Sequence, residues 1–189
     1  MNIIYLLFHG LSPYSGISKK ILHQVKGFEA CGHRVSLCTY SIADNGHRVR
    51  MINNEIIEDY GTGKPAAAKR RVSYQCIYRY AVTHQVELIY VRSFHNANPF
   101  TIRLFSKLRK AGIKIAMEIP TYPYDSEYAG FPLVTRLGIQ VDKVFRKTLA
   151  KHVNAIVTFS DYHCIFGQRT IQISNGVDFD SIPLKKTVA

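Results

Sequence analysis

Hydrophobic residues fall into two alternating patterns along this chain: short continuous runs, and stripes with helical spacing. The first run, Asn2 to Phe8, is almost wholly apolar, which predicts a strand buried on both faces. The next apolar residues recur at intervals of four, four and three, the spacing of one helix face: Ile17, Ile21, Val25 and Phe28. Val35 to Tyr40 is a second apolar run. These segments together predict a strand–helix–strand unit.

The same alternation continues along the rest of the chain. Asn53 and Asn54 separate the short segments Val49–Ile52 and Glu55–Asp59 and predict a hairpin turn. The pattern as a whole predicts an α/β fold, a Rossmann-like, doubly wound, mainly parallel sheet with helices on both faces. Residues 1–182 are expected to form this domain, and residues 183–189 a linker. Further strands are predicted at Glu87–Val91, Lys114–Ile119, Asn154–Phe159 and Thr170–Ser174, and helices at Ala66–Val86, Ala97–Lys110, Phe131–Val153 and, as a short helix, after Ser160.

The composition is typical of one cytoplasmic domain. The chain has 189 residues, of which 47% are hydrophobic, enough for a substantial core without disulfides. Its four cysteines have neither C-x-x-C spacing nor a place in a cysteine–histidine cluster, so neither a disulfide framework nor a metal site is predicted. The apolar run at the N-terminus is too short for a signal sequence or a membrane span, which predicts a cytoplasmic protein.

The charge changes this picture, because 25 lysines and arginines stand against 13 acidic residues, a formal net charge of +12. Such an excess predicts an acidic partner. Nucleic acid, an anionic membrane surface and a phosphorylated substrate all fit, and charge alone does not choose among them. The amphipathic segment Phe131–Val153 mixes apolar and basic residues, which is typical either of a core helix with a solvated face or of a helix that lies on a membrane surface.

Ligands of a doubly wound sheet bind at the carboxyl ends of its strands, so the residues just after each strand are candidates. The segment His9 to Gly16 follows the first strand. Gly16 lets the backbone approach a ligand, and the helix that starts there, capped by Ser15 or Ser18, presents free amides and a positive dipole end to a phosphate. The segment contains neither a dinucleotide fingerprint nor a P-loop. A plain turn followed by a helix cap is the alternative.

Two later segments also follow predicted strands. Arg92 can pair with a phosphate or with a nearby carboxylate. Glu118 to Tyr128, EIPTYPYDSEY, holds three tyrosines, three carboxylates and two prolines in eleven residues. Prolines stiffen a loop, tyrosine faces stack on sugar rings, and carboxylates accept hydrogen bonds from sugar hydroxyls. Glu118 therefore becomes a candidate base or hydroxyl ligand, with an ordered surface loop as the alternative.

Several segments together resemble the N-terminal domain of the family-four, group 1 glycosyltransferases, enzymes with two Rossmann-like domains (the GT-B fold). The opening strand with SPYSGISKK, then GHRVSLCTY and ELIYVR, match the first half of that domain. NAIVTFSDYHCIFG and ISNGVDFDSIP match its end, and EIPTYPYDSEY resembles a variant found in bacterial surface-polysaccharide transferases. Two features depart from the family pattern: Ser15-Gly16 stands where many relatives have two glycines, and the histidine common after the fourth strand is absent.

The resemblance implies a retaining enzyme that uses a nucleotide-sugar donor and needs no metal or other cofactor. The first domain binds the acceptor, and a second domain, expected to lie outside this chain, binds the nucleotide. Ser15, Gly16 and Ile17 would line the cleft near the donor diphosphate. The residues expected beside the acceptor are Arg92, Glu118, Tyr122, Tyr124, Asp125 and Glu127, with Glu118 as the candidate catalytic residue.

We therefore expect the acceptor-binding half of a glycosyltransferase that moves a sugar to a hydroxyl, in the synthesis of bacterial surface polysaccharide or glycolipid. The chain alone is expected to be inactive. Its expected partners are a nucleotide-sugar, bound mainly through the second domain, a sugar or lipid-linked acceptor, and an anionic membrane surface at the inner face; nucleic acid is not expected. The alternative is a stand-alone, non-catalytic α/β module that binds a phosphorylated or nucleic-acid ligand.

Overall fold

The computed structural model describes residues 1–12, 14–92, 96–123 and 133–174. The strands in these ranges are β1 (Asn2–Leu6), β2 (Arg34–Ile42), β3 (Arg48–Ile52), β4 (Glu55–Asp59), β5 (Leu88–Arg92), β6 (Lys114–Ile119), β7 (Ala155–Thr158), β8 (Cys164–Ile165) and β9 (Gln168–Gln172). They form one sheet in the order β4-β3-β2-β1-β5-β6-β7-β9-β8. Strands β2, β1, β5, β6, β7 and β9 are mutually parallel, whereas β3, β4 and β8 pair antiparallel with their neighbours.

Helices cover both faces of this sheet. One face packs against the first helix through a core that contains Ile3, Tyr5 and Ile21. The opposite face packs against the third, fourth and fifth helices through the larger core. The α/β, doubly wound fold predicted from the sequence is confirmed. The helices are α1 (Gly16–Ala30), α2 (Gly63–Val72), α3 (Gln75–Thr83), α4 (Pro99–Lys110) and α5 (Leu133–Ala150).

The strand order reverses between β1 and β5. The chain leaves β1 toward β2 on one side of the sheet and leaves β5 toward β6 on the other. In doubly wound sheets, the crevice that binds ligands lies outside the carboxyl ends of the strands at such a reversal point. Within the described ranges, no helix is both long and apolar enough to span a membrane.

The single helix predicted over Ala66–Val86 is two helices, α2 and α3, separated at Ser73 and Tyr74. Ser73 is extended, with φ −100° and ψ 109°, and this turn lets Tyr74 bury its ring edge-on against Phe8, 5.7 Å between centroids. Burying an aromatic ring contributes about 1.5–3 kcal/mol, against about 1 kcal/mol for a helical hydrogen bond that is given up. Burial therefore outweighs helix continuity at this point.

The short helix predicted after Ser160 is instead a hairpin of β8 and β9. Phe166 and Gly167 link the two strands with φ values of 51° and 83°, the backbone of a two-residue hairpin turn. A similar turn at Asn53 and Asn54, with φ values of 49° and 70°, joins β3 to β4 and confirms the predicted hairpin there. The hairpin after β7 buries Ile165 completely, a gain that a solvated single-turn helix does not offer.

Candidate functional site

The loop after β1 leads into a capped helix at the crevice. Ser15 is the N-cap of α1: its Oγ accepts from the Ser18 amide at 3.4 Å, and the Oγ of Ser18 accepts from the Ser12 amide at 2.9 Å. Of the two serines predicted as possible caps, Ser15 and Ser18, the structure shows Ser15 in that position. First-turn amides have no partner inside a helix, so those of Gly16 and Ile17 are available to an anion or to water.

The two glycines of this loop, Gly10 and Gly16, have different surroundings. A Cβ on Gly10 would lie 2.8 Å from the carbonyl oxygen of Tyr40, so only glycine allows the loop to run this close to the end of β2. Beside Gly16, in contrast, no atom of the described residues, apart from its chain neighbours and its own helix backbone, lies within 4 Å of a Cβ position. Gly16 therefore borders open space, and Ile17 next to it is 56% exposed. Among the described residues, a side chain at position 16 would meet no obstacle at the helix N-terminus.

Glu118, near the end of β6, lies beneath α1 and is fully buried. Its carboxylate accepts hydrogen bonds from the Tyr90 hydroxyl at 2.7 Å, the Arg92 guanidinium at 2.5 Å and the Gln24 side-chain amide at 2.8 Å. Gln24 in turn accepts from the Tyr5 hydroxyl at 2.6 Å. Tyr5 and Tyr90 are register partners on adjacent strands, so the two polar ends meet at one point of an otherwise apolar face.

This network contains one of the two partners considered for Arg92. The arginine pairs with a carboxylate, Glu118, and is only 7% exposed. Burial, with the neighbouring Glu118 charge adding to it, raises the pKa of Tyr90 well above its usual value, so its hydroxyl stays protonated and donates. Glu118 has three donors and no exposed surface. The contacts observed for its carboxylate are therefore with side chains of the chain itself, and direct contact with a ligand stays a prediction.

Tyr122 lies on the other side of the sheet from Glu118. Its ring packs edge-on against Tyr162 at 5.0 Å and Phe166 at 5.6 Å, next to the core beneath α4 and α5, and its amide donates to the Ser160 Oγ at 3.0 Å. Glu118 and Tyr122, both expected beside the acceptor, thus contact different faces of the sheet. The other predicted acceptor residues lie outside the described residues: Tyr124, Asp125 and Glu127.

Lys20 is a residue near the crevice that the sequence analysis did not single out. Its Nζ lies 3.4 Å from the centroid of the Phe159 ring, just after β7, and bridges α1 to that strand end. Partial burial lowers the pKa of this lysine, while the nearby Glu118 charge opposes the shift. Gln24 was not singled out either, and its signal in the sequence was indirect: a glutamate and two tyrosines on buried strand faces need polar partners from the helix packed above them.

In the described parts of the chain, no group of three or more histidine, cysteine, aspartate or glutamate side chains converges in a way that would hold a metal ion. What converges at the crevice is a helix N-terminus, a buried ion pair and a lysine. Comparison with models of known protein families and with curated proteins found nothing that matches this chain.

Proposed function

We propose that this chain is the acceptor-binding, N-terminal domain of a retaining glycosyltransferase with two Rossmann-like domains. In this proposal the complete enzyme moves a sugar from a nucleotide-sugar to a hydroxyl acceptor in the synthesis of a bacterial surface polysaccharide or glycolipid. The observation that carries the proposal is the capped N-terminus of α1 at the point where strand order reverses, with open space beside Gly16. An anionic ligand is stabilised there by free amides and the helix dipole.

The diphosphate of the donor fits this position because it is the charged part of the molecule next to the sugar that is transferred. A second domain supplies the nucleotide pocket. In a retaining reaction the donor phosphate itself assists the incoming hydroxyl, so the contribution of this domain is to orient the acceptor and the diphosphate. Glu118 acts as a positioning residue: it fixes the Arg92 guanidinium at the carboxyl edge, near Lys20 on the same side of the sheet.

A pair of glycines on α1 provides the test of the proposed ligand position. Gly16 and Gly27 are both helical and both have open space where a side chain would start. In the protein expressed from its complete gene, Gly16→Leu places a side chain in the proposed diphosphate position and is expected to lower sugar transfer from UDP- or GDP-sugars by about tenfold or more, because loss of one charge-assisted contact costs about 1.5–3 kcal/mol.

Gly27→Leu is the matched control, because it adds the same side chain three turns along the same helix. If the two variants transfer sugar equally well, Gly16 is not part of the ligand site. Equal thermal stability of the two variants is required for the comparison, and circular dichroism measures it.

The complete enzyme is proposed to act at the inner face of the membrane, and the surface of α5 supports this location. Four apolar side chains recur on α5 at intervals of four, four and three and are exposed, two of them to 70%: Leu133, Leu137, Val141 and Val144. On the helical wheel the basic residues Arg136, Lys143 and Lys147 lie along one border of this stripe. An apolar stripe beside a basic border is the pattern of a helix that lies in an anionic membrane surface.

Cosedimentation with lipid vesicles measures this attachment. We expect binding to vesicles with anionic lipid that weakens with salt, and little binding to neutral vesicles. Leu137→Asn combined with Val144→Asn is expected to weaken it about tenfold, since burial of each such side chain contributes on the order of 1 kcal/mol or more. Val82→Asn, at an exposed apolar position on α3, is the control. Vesicle binding that is unchanged by the α5 substitutions would show that α5 does not contact the membrane.

A further inference from the structure

Four arginines meet where β2, β3 and α2 come together at the carboxyl edge: Arg48, Arg50, Arg70 and Arg71, here called the arginine cluster. Tyr40 at the end of β2 joins them. The Arg70 guanidinium carbon lies 4.2 Å from the centroid of the Tyr40 ring, and Arg48 donates to the Tyr40 hydroxyl at 2.6 Å. Arg50 is the cross-strand partner of Tyr40. One strand, β3, and one helix, α2, thus direct their positive charges to one place.

The charge of Arg50 has no anionic partner in the described chain. Arg50 is 1% exposed and donates to the Leu7 carbonyl at 2.8 Å. Its other neighbours are two thiols and a phenol: Cys38, Cys76 and Tyr60. Burial raises the pKa of Cys38 to about 12 and also raises the pKa values of Cys76 and Tyr60, so all three groups are neutral at physiological pH.

The carboxylate that lies opposite Arg50 in the sheet pairs with another arginine. Glu58 is the cross-strand partner of Arg50 on β4, but its carboxylate lies 3.5 Å from the Arg79 guanidinium on α3. The Nε atoms of Arg50 and Arg70 are buried and have no hydrogen-bond partner in the described chain. A buried donor without a partner is destabilising, and so are like charges held together, which makes this cluster costly unless an external group completes it.

We propose that the arginine cluster binds a phosphate group. Arg48 and Arg70 are half-buried and supply the donors that a planar, two-pronged contact with phosphate oxygens requires. Arg50 lies beneath them as a fixed positive charge whose field is weakly screened because it is buried. Arg71 is exposed and adds positive potential at the rim of the site. The loop fixed by Gly10 against Tyr40 borders the site and connects it to the N-terminus of α1.

This inference goes beyond the proposed function and does not depend on it. The cluster is defined by charge, burial and contacts on β3 and α2, whereas the proposed function relies on the N-terminus of α1. The phosphate group can belong to a soluble molecule or to a lipid headgroup, and the chemistry that recognises it is the same in both. The experiment below reports binding without sugar transfer, so its failure would leave the proposed function standing.

The site is tested by calorimetric titration and by thermal unfolding, each with inorganic phosphate and with pyrophosphate. Chloride keeps the ionic strength constant. The wild-type chain is expected to bind and to unfold at a higher temperature when either anion is present. Arg70→Gln is expected to bind at least tenfold more weakly, and Arg48→Gln likewise, because each loses a charge-assisted contact. Arg103→Gln removes the same charge from an exposed position on α4 and is expected to bind like the wild type.

A purely structural Arg70 would give a different result: Arg70→Gln would unfold earlier in chloride but keep the full stabilisation by phosphate. That result, or no binding of either anion to the wild type, overturns the proposal. Vesicles containing phosphatidate distinguish the source. If the wild-type chain is retained on these vesicles and Arg70→Gln is not, the phosphate belongs to a lipid. If the chain binds the soluble anions but is not retained on the vesicles, the phosphate belongs to a soluble ligand. Both outcomes support the site.

Discussion

Two buried arginines at the same edge of the sheet are held in opposite ways. Arg92 on β5 is 7% exposed and meets the carboxylate of Glu118 at 2.5 Å, within a network that also includes Tyr90 and Gln24. Arg50 on β3 is 1% exposed and meets a backbone carbonyl, with an Nε that has no partner in the described residues. One charge is neutralised by a carboxylate, and the other has no anionic partner among the described residues.

This difference distinguishes an ion pair that supports the structure from a cluster of charges that is open to a ligand. In the Arg92–Glu118 pair, each charge is neutralised by the other. The pair therefore affects function through the shape and the electrostatic field of the carboxyl edge. The arginine cluster around Arg50 carries charge in excess of what the described chain supplies. A buried cation costs free energy unless it is paired, and an external anion is the partner that is missing.

Breaking the internal pair is expected to have the largest effect. Glu118→Gln leaves the Arg92 cation buried without its counter-charge, and removal of one partner of a buried ion pair typically costs about 3–5 kcal/mol. We expect the free energy of unfolding, measured by urea denaturation, to fall by about this amount. Glu29→Gln on the exposed side of α1 makes the same charge change and should cost within about 0.5 kcal/mol. Similar losses in both variants would contradict the comparison.

Removing the unpaired cation is expected to cost less. Arg50→Met replaces the guanidinium by an apolar side chain of similar length and relieves the uncompensated charge, but it leaves the Leu7 carbonyl without its donor, a penalty of about 1–3 kcal/mol. The two changes oppose each other, so we expect a net loss below about 2 kcal/mol in chloride buffer, together with loss of the stabilisation by phosphate. Urea denaturation with and without phosphate measures both. A loss as large as that of Glu118→Gln would mean that Arg50 is already fully paired within the chain.

The sequence predicted the frame of the fold well because strand burial and helix periodicity are local signals. The bounds of β6 agree residue for residue, and the asparagine turn and the cap at Ser15 follow from local chemistry. The split between α2 and α3 was not predicted, because it depends on a ring contact between Tyr74 and Phe8 that joins distant parts of the chain.

The functional residues were predicted less completely, for a similar reason. Glu118 was assigned correctly to a strand end, but its burial depends on Gln24, a residue 94 positions away on α1. Arg48 and Arg50 alternate with apolar residues in β3, a pattern typical of a strand with one solvated face. Only the packing of α2 against that strand reveals that Arg50 is buried. Contacts between elements, which periodicity does not encode, account for both omissions.

The central claim, that this chain is the acceptor side of a two-domain transferase, is tested most directly by donor binding. Calorimetric titration of UDP- and GDP-sugars into the 189-residue chain and into the protein expressed from its complete gene compares the two. The account predicts micromolar donor binding, with sugar transfer that retains the anomeric configuration, in the complete protein, and no micromolar binding in the chain alone. Micromolar binding of a nucleotide-sugar to the chain alone would contradict it.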